Sequence, residues 1–365
     1  MVQFKAAYCG YLSVYFKTVD LYGMDIVSLI IFIVIVIFTV LTAAAYTTYA
    51  ERKVSAWIQQ RSGPNRVGPL GLLQPAADAL KLILKEDIVP ASANKFVHFL
   101  APVIAVTLAV AALAMLPFAK GLQIFDANIG ILYSLGVTSI GVYGVTLSGW
   151  SSNSKFALLG SLRSSAQMIS YELAMGLSVV SVILLANNFA PDGSEFLRLS
   201  TIVEAQRNNV WFVVVNPLGF LIFATCAFAE TNRAPFDLAE AEQELVAGFH
   251  TEYSSMKFGA FYVAEYMHVI IASAMMTTLF FGGYLAPFGI LEAKMAEMGS
   301  WAQLLYGVTW FSLKTVFFIF VFIWVRWTLP RFKYNQLMDI GWKKFLPLAL
   351  LNLLVIALIL LIANR

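Results

Sequence analysis

Residues 158–176 read LLGSLRSSAQMISYELAMG. Arg163 and Glu172 interrupt an otherwise apolar run from 156 to 186, and the neighbouring runs at 129–150 and 210–230 carry no charge before Glu230. An ionisable group at the centre of a membrane helix costs ~2.5–3.5 kcal/mol on insertion scales, so it normally faces a partner or a wet cavity. The stretch is therefore read as a membrane crossing with functional polar residues. Ser164, Ser165, Gln167 and Tyr171 make part of it a polar stripe.

Outward from this segment the chain stays apolar. Of its 365 residues 60% are hydrophobic and 12% charged, far from the ~25% charged of soluble domains, and its mean hydropathy is +0.77. Runs long enough for the ~20 apolar residues that cross ~30 Å of hydrocarbon occur at about 26–50, 96–118, 129–150, 156–186, 210–230, 258–285, 301–325 and 345–363. The expected fold is an all-α polytopic membrane protein with eight transmembrane helices: an N-terminal segment, 1–25, then one membrane domain, 26–363. The run from Ile26 is longer than a ~7–15-residue signal-peptide core, and Asp20 and Asp25 precede it, so it is expected to be retained.

Most of the 24 Lys and Arg residues fall in the first, third, fifth and seventh loops. The positive-inside rule places those loops in the cytoplasm and both termini outside. In the first loop, Gly63, Pro64, Gly68, Pro69 and Gly71 mark turns before Pro75 opens a helix. Ala76, Leu80, Ile83 and Leu84 would share one face of that helix and Asp78, Lys81 and Lys85 another. Such a helix suits the membrane interface, or equally packing on other spans.

Several chemistries are excluded. Cys9 and Cys226 are too few and too distant for a Cys-ligated iron–sulfur cluster or zinc site, and the three histidines form no HExxH or paired motif, so no metal is expected. Gly63 and Gly68 have phosphate-loop spacing, but Pro69 stands where the Lys must be. Neither a dinucleotide fingerprint nor a repeat is present, and nucleic acid is not an expected partner.

The chemistry-bearing residues are ionisable groups within spans. Glu265 and His268 are i and i+3 on the sixth span, and Lys314 interrupts the seventh. With Arg163 and Glu172 they could bind the bundle by interhelical salt bridges or form a chain for protons. The fifth loop holds FDLAEAEQELVAGFHTEYSS, residues 236–255, without Lys or Arg. Glu240 and Glu244 would lie together on a helix and Glu242 elsewhere. Charge runs are usually solvated, but Phe236, Leu238, Leu245, Val246 and Phe249 are interleaved here and argue for partial burial. Clustered, half-buried carboxylates share protons because they cannot all ionise at once.

Four stretches carry a resemblance: GPNRVGPLGLLQPAADALKLILKED (63–87), residues 158–176, AETNRAPFDLAEAEQELVAGFHTEYSSMKFG (229–259) and RWTLPRFKYNQLMDIGWKKFLPL (326–348). In this order they resemble the quinone-site membrane subunit of respiratory complex I (NADH:quinone oxidoreductase), NuoH in bacteria and subunit 1 in mitochondria. One departure is Asn335, where the family commonly has Asp. The resemblance implies eight transmembrane helices docked under a hydrophilic arm, with NADH, flavin and iron–sulfur clusters in partner subunits and only quinone, ubiquinone or menaquinone, bound with help from this chain. It implies a proton pathway through Glu172, Glu230, Glu240, Glu242, Glu244 and Glu265, and a quinone chamber or rim at Arg52, Arg61, Asp78 and Arg233. The first and sixth spans with the amphipathic helix would form the lipid-side quinone entrance.

The implied partners are the iron–sulfur and quinone-site subunits of the arm, neighbouring membrane subunits, quinone and lipid. The implied location is the bacterial inner membrane, or alternatively the mitochondrial one. Two other readings fit buried acids in a bundle. One is a stand-alone proton-coupled transporter, for which broken helices in repeated halves are the expected and missing sign; the other is the homologous anchor of a membrane-bound hydrogenase or ferredoxin-driven relative.

Overall fold

The computed structural model describes residues 26–190, 195–207, 210–238, 246–287 and 300–363. Among them, regular structure is helical: α1 (Ile26–Ile58), α2 (Gln74–Leu84), α3 (Lys95–Leu113), α4 (Gly130–Ser151), α5 (Lys155–Phe189), α6 (Leu199–Ala205), α7 (Phe212–Val215), α8 (Pro217–Glu230), α9 (Ser255–Phe280), α10 (Ser300–Thr328), α11 (Tyr334–Asp339) and α12 (Leu346–Ala363). Seven segments are long and apolar enough to cross a membrane, the seventh running from Tyr334 through α12, and α8 is a shorter apolar helix.

The helices differ from the expected spans mainly at their ends. The first continues past residue 50 to Ile58, because Arg52 and Lys53 are good helix formers and the buried Glu51 and Ser55 find polar partners, Arg233 and Arg326 for Glu51 and Arg52 O for Ser55. The run at 210–230 breaks into α7 and α8 at Asn216, since Pro217 offers no N–H for the preceding turn and the Asn216 side chain instead accepts from Gly219 N. The last span is preceded by a π-helical turn, Ile340–Phe345, so α11 and α12 run on as one rod.

The core sits among α4, α5, α8 and α9, where Tyr171, Ile222, Met267 and Phe280 are almost fully buried. One close approach fixes α4 against α5: a Cβ on Gly149 would collide with Ser161 Oγ and Ala157 O, so only glycine fits.

The interhelical connections sort to two ends. At one end, the segment after α2 meets the start of α9 through Ile88 N to Ser254 Oγ and the Lys257–Asp87 pair. There Ser151 bonds Tyr253, and Phe332 N donates to Pro235 O. At the other end the segments preceding α4 and α6 join through Arg198 and Asp126, and Gln206 after α6 reaches Thr278 and Leu279 at the end of α9. We call these the Arg233 end and the Lys314 end.

Candidate functional site

The Arg233 end is built around one carboxylate. Glu51, in the last third of α1, is 6% exposed. Its Oε2 accepts from Arg233 Nη1 at 2.8 Å and from the Tyr266 hydroxyl at 2.9 Å, and its Oε1 accepts from Arg326 Nη1 at 2.5 Å. Arg233 uses its Nε to pair with Glu265, and its guanidinium lies 4.2 Å from the centre of the Tyr266 ring. Glu265 and Tyr266 are consecutive on α9, so one short segment supplies both the carboxylate at the Arg233 Nε and the ring against its guanidinium. Burial opposes the charge of Arg233, but Glu265 and then Glu51 more than offset it, and its pKa is raised above the ordinary arginine range. Nearby, Arg331 holds Asp237 at 2.7 Å.

A cavity of about 380 Å³ opens beside this network, lined by Arg52, Arg61, Tyr262, Tyr266, Arg326 and Trp327 together with Glu51. Aromatic walls with a few convergent polar groups and a volume of this size are the pattern of a small-molecule site. Asp78 is paired with Arg52 of the cavity wall, 2.6 Å away, which ties α2 to α1.

Inward from Glu265 lie two smaller cavities. The first, about 50 Å³, is bounded by Glu265, Asn232, Glu230 and Thr231. The second, about 30 Å³, is bounded by Glu230, Thr231, Ser134 and Thr138. Both exceed the ~10–15 Å³ that one water centre needs. Glu230 interacts with Thr138 and feels the charge of Glu172, whose carboxylate accepts a hydrogen bond from Ser139. Protons could exchange along such an alternation of carboxylates, hydroxyls and water-sized spaces.

The structure thus brings together Glu265, Glu230, Glu172 and Arg233, and places Arg52 and Arg61 on the large cavity with Asp78 beside it. Glu240, Glu242 and Glu244 lie outside the described residues. Lys314 does not join the carboxylates. Its Nζ donates to the carbonyls of Phe281, Gly283 and Leu285 at 2.6, 2.9 and 2.6 Å, at the opposite end. Arg163 sits 5.7 Å from the centre of the Tyr334 ring, and Asn335 is exposed on α11. Sequence reasoning missed Glu51, Arg326 and Tyr266. The available signal was an acid and a base each one residue beyond an apolar run, at Glu51 and Arg326. Among the described residues no group of three or more His, Cys, Asp or Glu could hold a metal.

The profile of the NADH dehydrogenase family matches residues 30–357. The chain belongs to that family. A Rhodothermus marinus protein named NADH-quinone oxidoreductase subunit 8 is 57% identical over 330 residues, 89% of this chain and 94% of the relative. A Salinibacter ruber protein, also named as a subunit of NADH-quinone oxidoreductase, is 56% identical over 333 residues, covering 89% and 93%. Another so named, from Rickettsia bellii, is 48% identical over 331 residues, covering 90% and 92%. This NADH dehydrogenase family member is a helical membrane protein, and Glu51, Arg233, Glu230, Glu265 and Arg326 all fall within the matched region.

Proposed function

We propose that the chain is the membrane subunit that helps form the quinone chamber of a proton-translocating NADH:quinone oxidoreductase, coupling quinone reduction to proton movement through buried carboxylates. Its relatives carry the names of subunits of that enzyme. One observation carries the coupling: the cavity beside Glu51 is joined through Arg233 to Glu265, from there by one water-sized space to Glu230, and by a second from Glu230 to Ser134 and Thr138. The quinone headgroup would occupy the side lined by Arg52, Arg61 and Tyr266, with Asp78 and Arg233 at its rim and floor. A charge change there alters the balance of the Glu51–Arg233–Glu265 network and is felt along the acids. Partner subunits would supply NADH oxidation, flavin and iron–sulfur clusters, the location being a bacterial inner membrane or its mitochondrial counterpart.

Residues 26–363 act in this reading as one domain with eight crossings, α7 and α8 together making the fifth. The sorting of connections supports it: the segment before α7 bonds to one end of the bundle and the segment after α8 to the other. The exposed Leu80, Ile83 and Leu84 of α2 suit a helix lying in the lipid interface beside the chamber mouth. In this reading the Arg233 end faces the cytoplasm, as the Lys and Arg distribution expects, and single cysteines at Ser62 and Asp192 should then label from opposite sides of sealed vesicles.

Glu240, Glu242 and Glu244 complete the proposed acidic funnel. Replacing all three by Gln keeps size and hydrogen bonding while removing titration. In membranes with intact complex, NADH oxidation by ferricyanide, which needs only the hydrophilic arm, should persist while quinone-linked oxidation and proton pumping fall together. A wild-type ratio of the two activities with normal pumping overturns the funnel.

A further inference from the structure

His268 stands where the two small cavities meet. It lies on α9 one turn beyond Glu265, and it lines both the space of about 50 Å³ that Glu265 bounds and the space of about 30 Å³ that Ser134 and Thr138 bound. Three residues are shared by the two spaces, Glu230, Thr231 and His268. Thr231 is spent locally, its hydroxyl donating to Phe228 O at 3.1 Å. The two titratable members of the wall are therefore a carboxyl from α8 and an imidazole from α9.

The ring is placed to face open space. Among the described residues no protein group hydrogen-bonds it, although it is only partly exposed. It packs across α4 at Gly141, where a Cβ would lie 3.8 Å from its Cε1 and 4.0 Å from its Nε2. Gly141 lines the larger space and not the smaller, so the Cε1–Nε2 edge of the ring is turned to the Glu265 side. A core histidine held for packing would be expected to satisfy its two nitrogens on neighbouring backbone or hydroxyl groups. This one leaves them to whatever fills the cavities.

We infer that His268 is a proton relay between the two water-sized spaces, working beside Glu230 and linking the Glu265 side to the Ser134 and Thr138 side. The imidazole accepts a proton from water at one nitrogen and releases the proton of the other nitrogen to water in the second space; a ring flip or the reverse exchange restores the starting tautomer. No net charge remains on the ring after each passage. The groups that bear on this exchange are Glu265 on the same helix, Glu230 at the end of α8 with Thr231 just beyond it, and Ser134 and Thr138 on α4.

This inference rests on the proposed coupling function, and the two can fail separately. The test uses the assembled complex in membranes carrying His268→Gln, which keeps a hydrogen-bonding side chain that cannot titrate, and His268→Phe, which fills the junction. Ferricyanide activity reports the amount of complex. The expected result for His268→Gln is quinone-linked turnover and pumping reduced together by about tenfold, with a larger solvent deuterium isotope effect than wild type because proton transfer has become slow. His268→Phe should be lower still. Wild-type turnover and pumping in His268→Gln overturns the relay, and so does reduced turnover with an unchanged isotope effect, which marks a structural role. If His268→Gln is normal while Glu230→Gln and Glu265→Gln are impaired, the relay alone is wrong. If all three are normal, the coupling function fails as well.

Discussion

Each end of the bundle buries a cation, and the two are satisfied in opposite ways. Arg233 is matched by the carboxylates of Glu51 and Glu265, with the Tyr266 ring against its face. Lys314 is matched by three backbone carbonyls, with the Trp211 ring 4.7 Å away. Carboxylates can gain or lose a proton, so the Arg233 network can exist in more than one charge state. Carbonyls cannot, and the Lys314 ammonium satisfies three of them in the segment that follows α9. Gln206 reinforces it by donating to Thr278 and Leu279 carbonyls and accepting from Gly282 N. Equal burial of positive charge is thus met responsively at Arg233, between carboxylates, and by carbonyls at Lys314, whose end also carries the Arg198–Asp126 pair.

The largest effect should come from breaking the responsive end. Arg233→Leu leaves Glu51 and Glu265 buried with half their counter-charge gone, and removing one partner of a buried pair costs ~3–5 kcal/mol. Quinone-linked turnover should fall by at least a hundredfold, measured against ferricyanide activity in the same membranes. Retained turnover would mean that the network is ornamental to the chemistry. Arg233→Lys should recover little, because a point charge cannot serve Glu51, Glu265 and the ring at once.

Lys314→Met tests the carbonyl-bound cation. Three carbonyls lose their donor, at about 1 kcal/mol or more each, so the detergent-solubilised complex should melt several degrees lower. Its quinone-to-ferricyanide ratio and the quinone KM should stay at wild-type values. A changed ratio would show that the two ends communicate and would erase the distinction drawn between them.

The smallest effect concerns His250, in the short turn Gly248–His250 at the Arg233 end. Burial pushes its pKa from 6.5 down to about 4. A pKa depressed on folding gives stability that is complete above the unfolded value and lost as pH falls towards the folded one. The window is therefore pH 6.5 to about 4, and at pH 5 the loss reaches about 2 kcal/mol at ~1.4 kcal/mol per unit. Protection factors over 248–253, with exchange corrected for its intrinsic pH dependence, should fall on acidification from pH 7.5 to pH 5 in wild type and much less in His250→Phe. An equal fall in both would move the acid sensitivity elsewhere.

What could be read in the sequence follows from which physics is local. Glu265 and Glu172 stood out because an acid in an apolar run is expensive wherever the helix packs, whereas Glu230, at the end of its run, was reached through the family resemblance. Glu51 did not stand out, because the apolar run stops at residue 50 and a polar continuation looks the same whether it is loop or helix; only the approach of Arg233 and Arg326 makes it central. Lys314 was conspicuous for the same reason as the acids, yet its partner could not be read, since carbonyls freed by the turn at Gly282 and Gly283 leave no mark on side-chain pattern. Helix ends at Ile58 and the break at Asn216 likewise depend on what neighbouring segments provide.

That break bears on what holds the segment in place. An apolar helix of 14 residues is ~21 Å long and too short to hold a place in ~30 Å of hydrocarbon by itself. Its leading residue, Asn216, is buried and secured by donating to Ser181 on α5, a hydroxyl that also receives Asn352 of α12. The break is thus held by side chains of helices that precede and follow it in the chain, α5 and α12, rather than by its own apolar stretch.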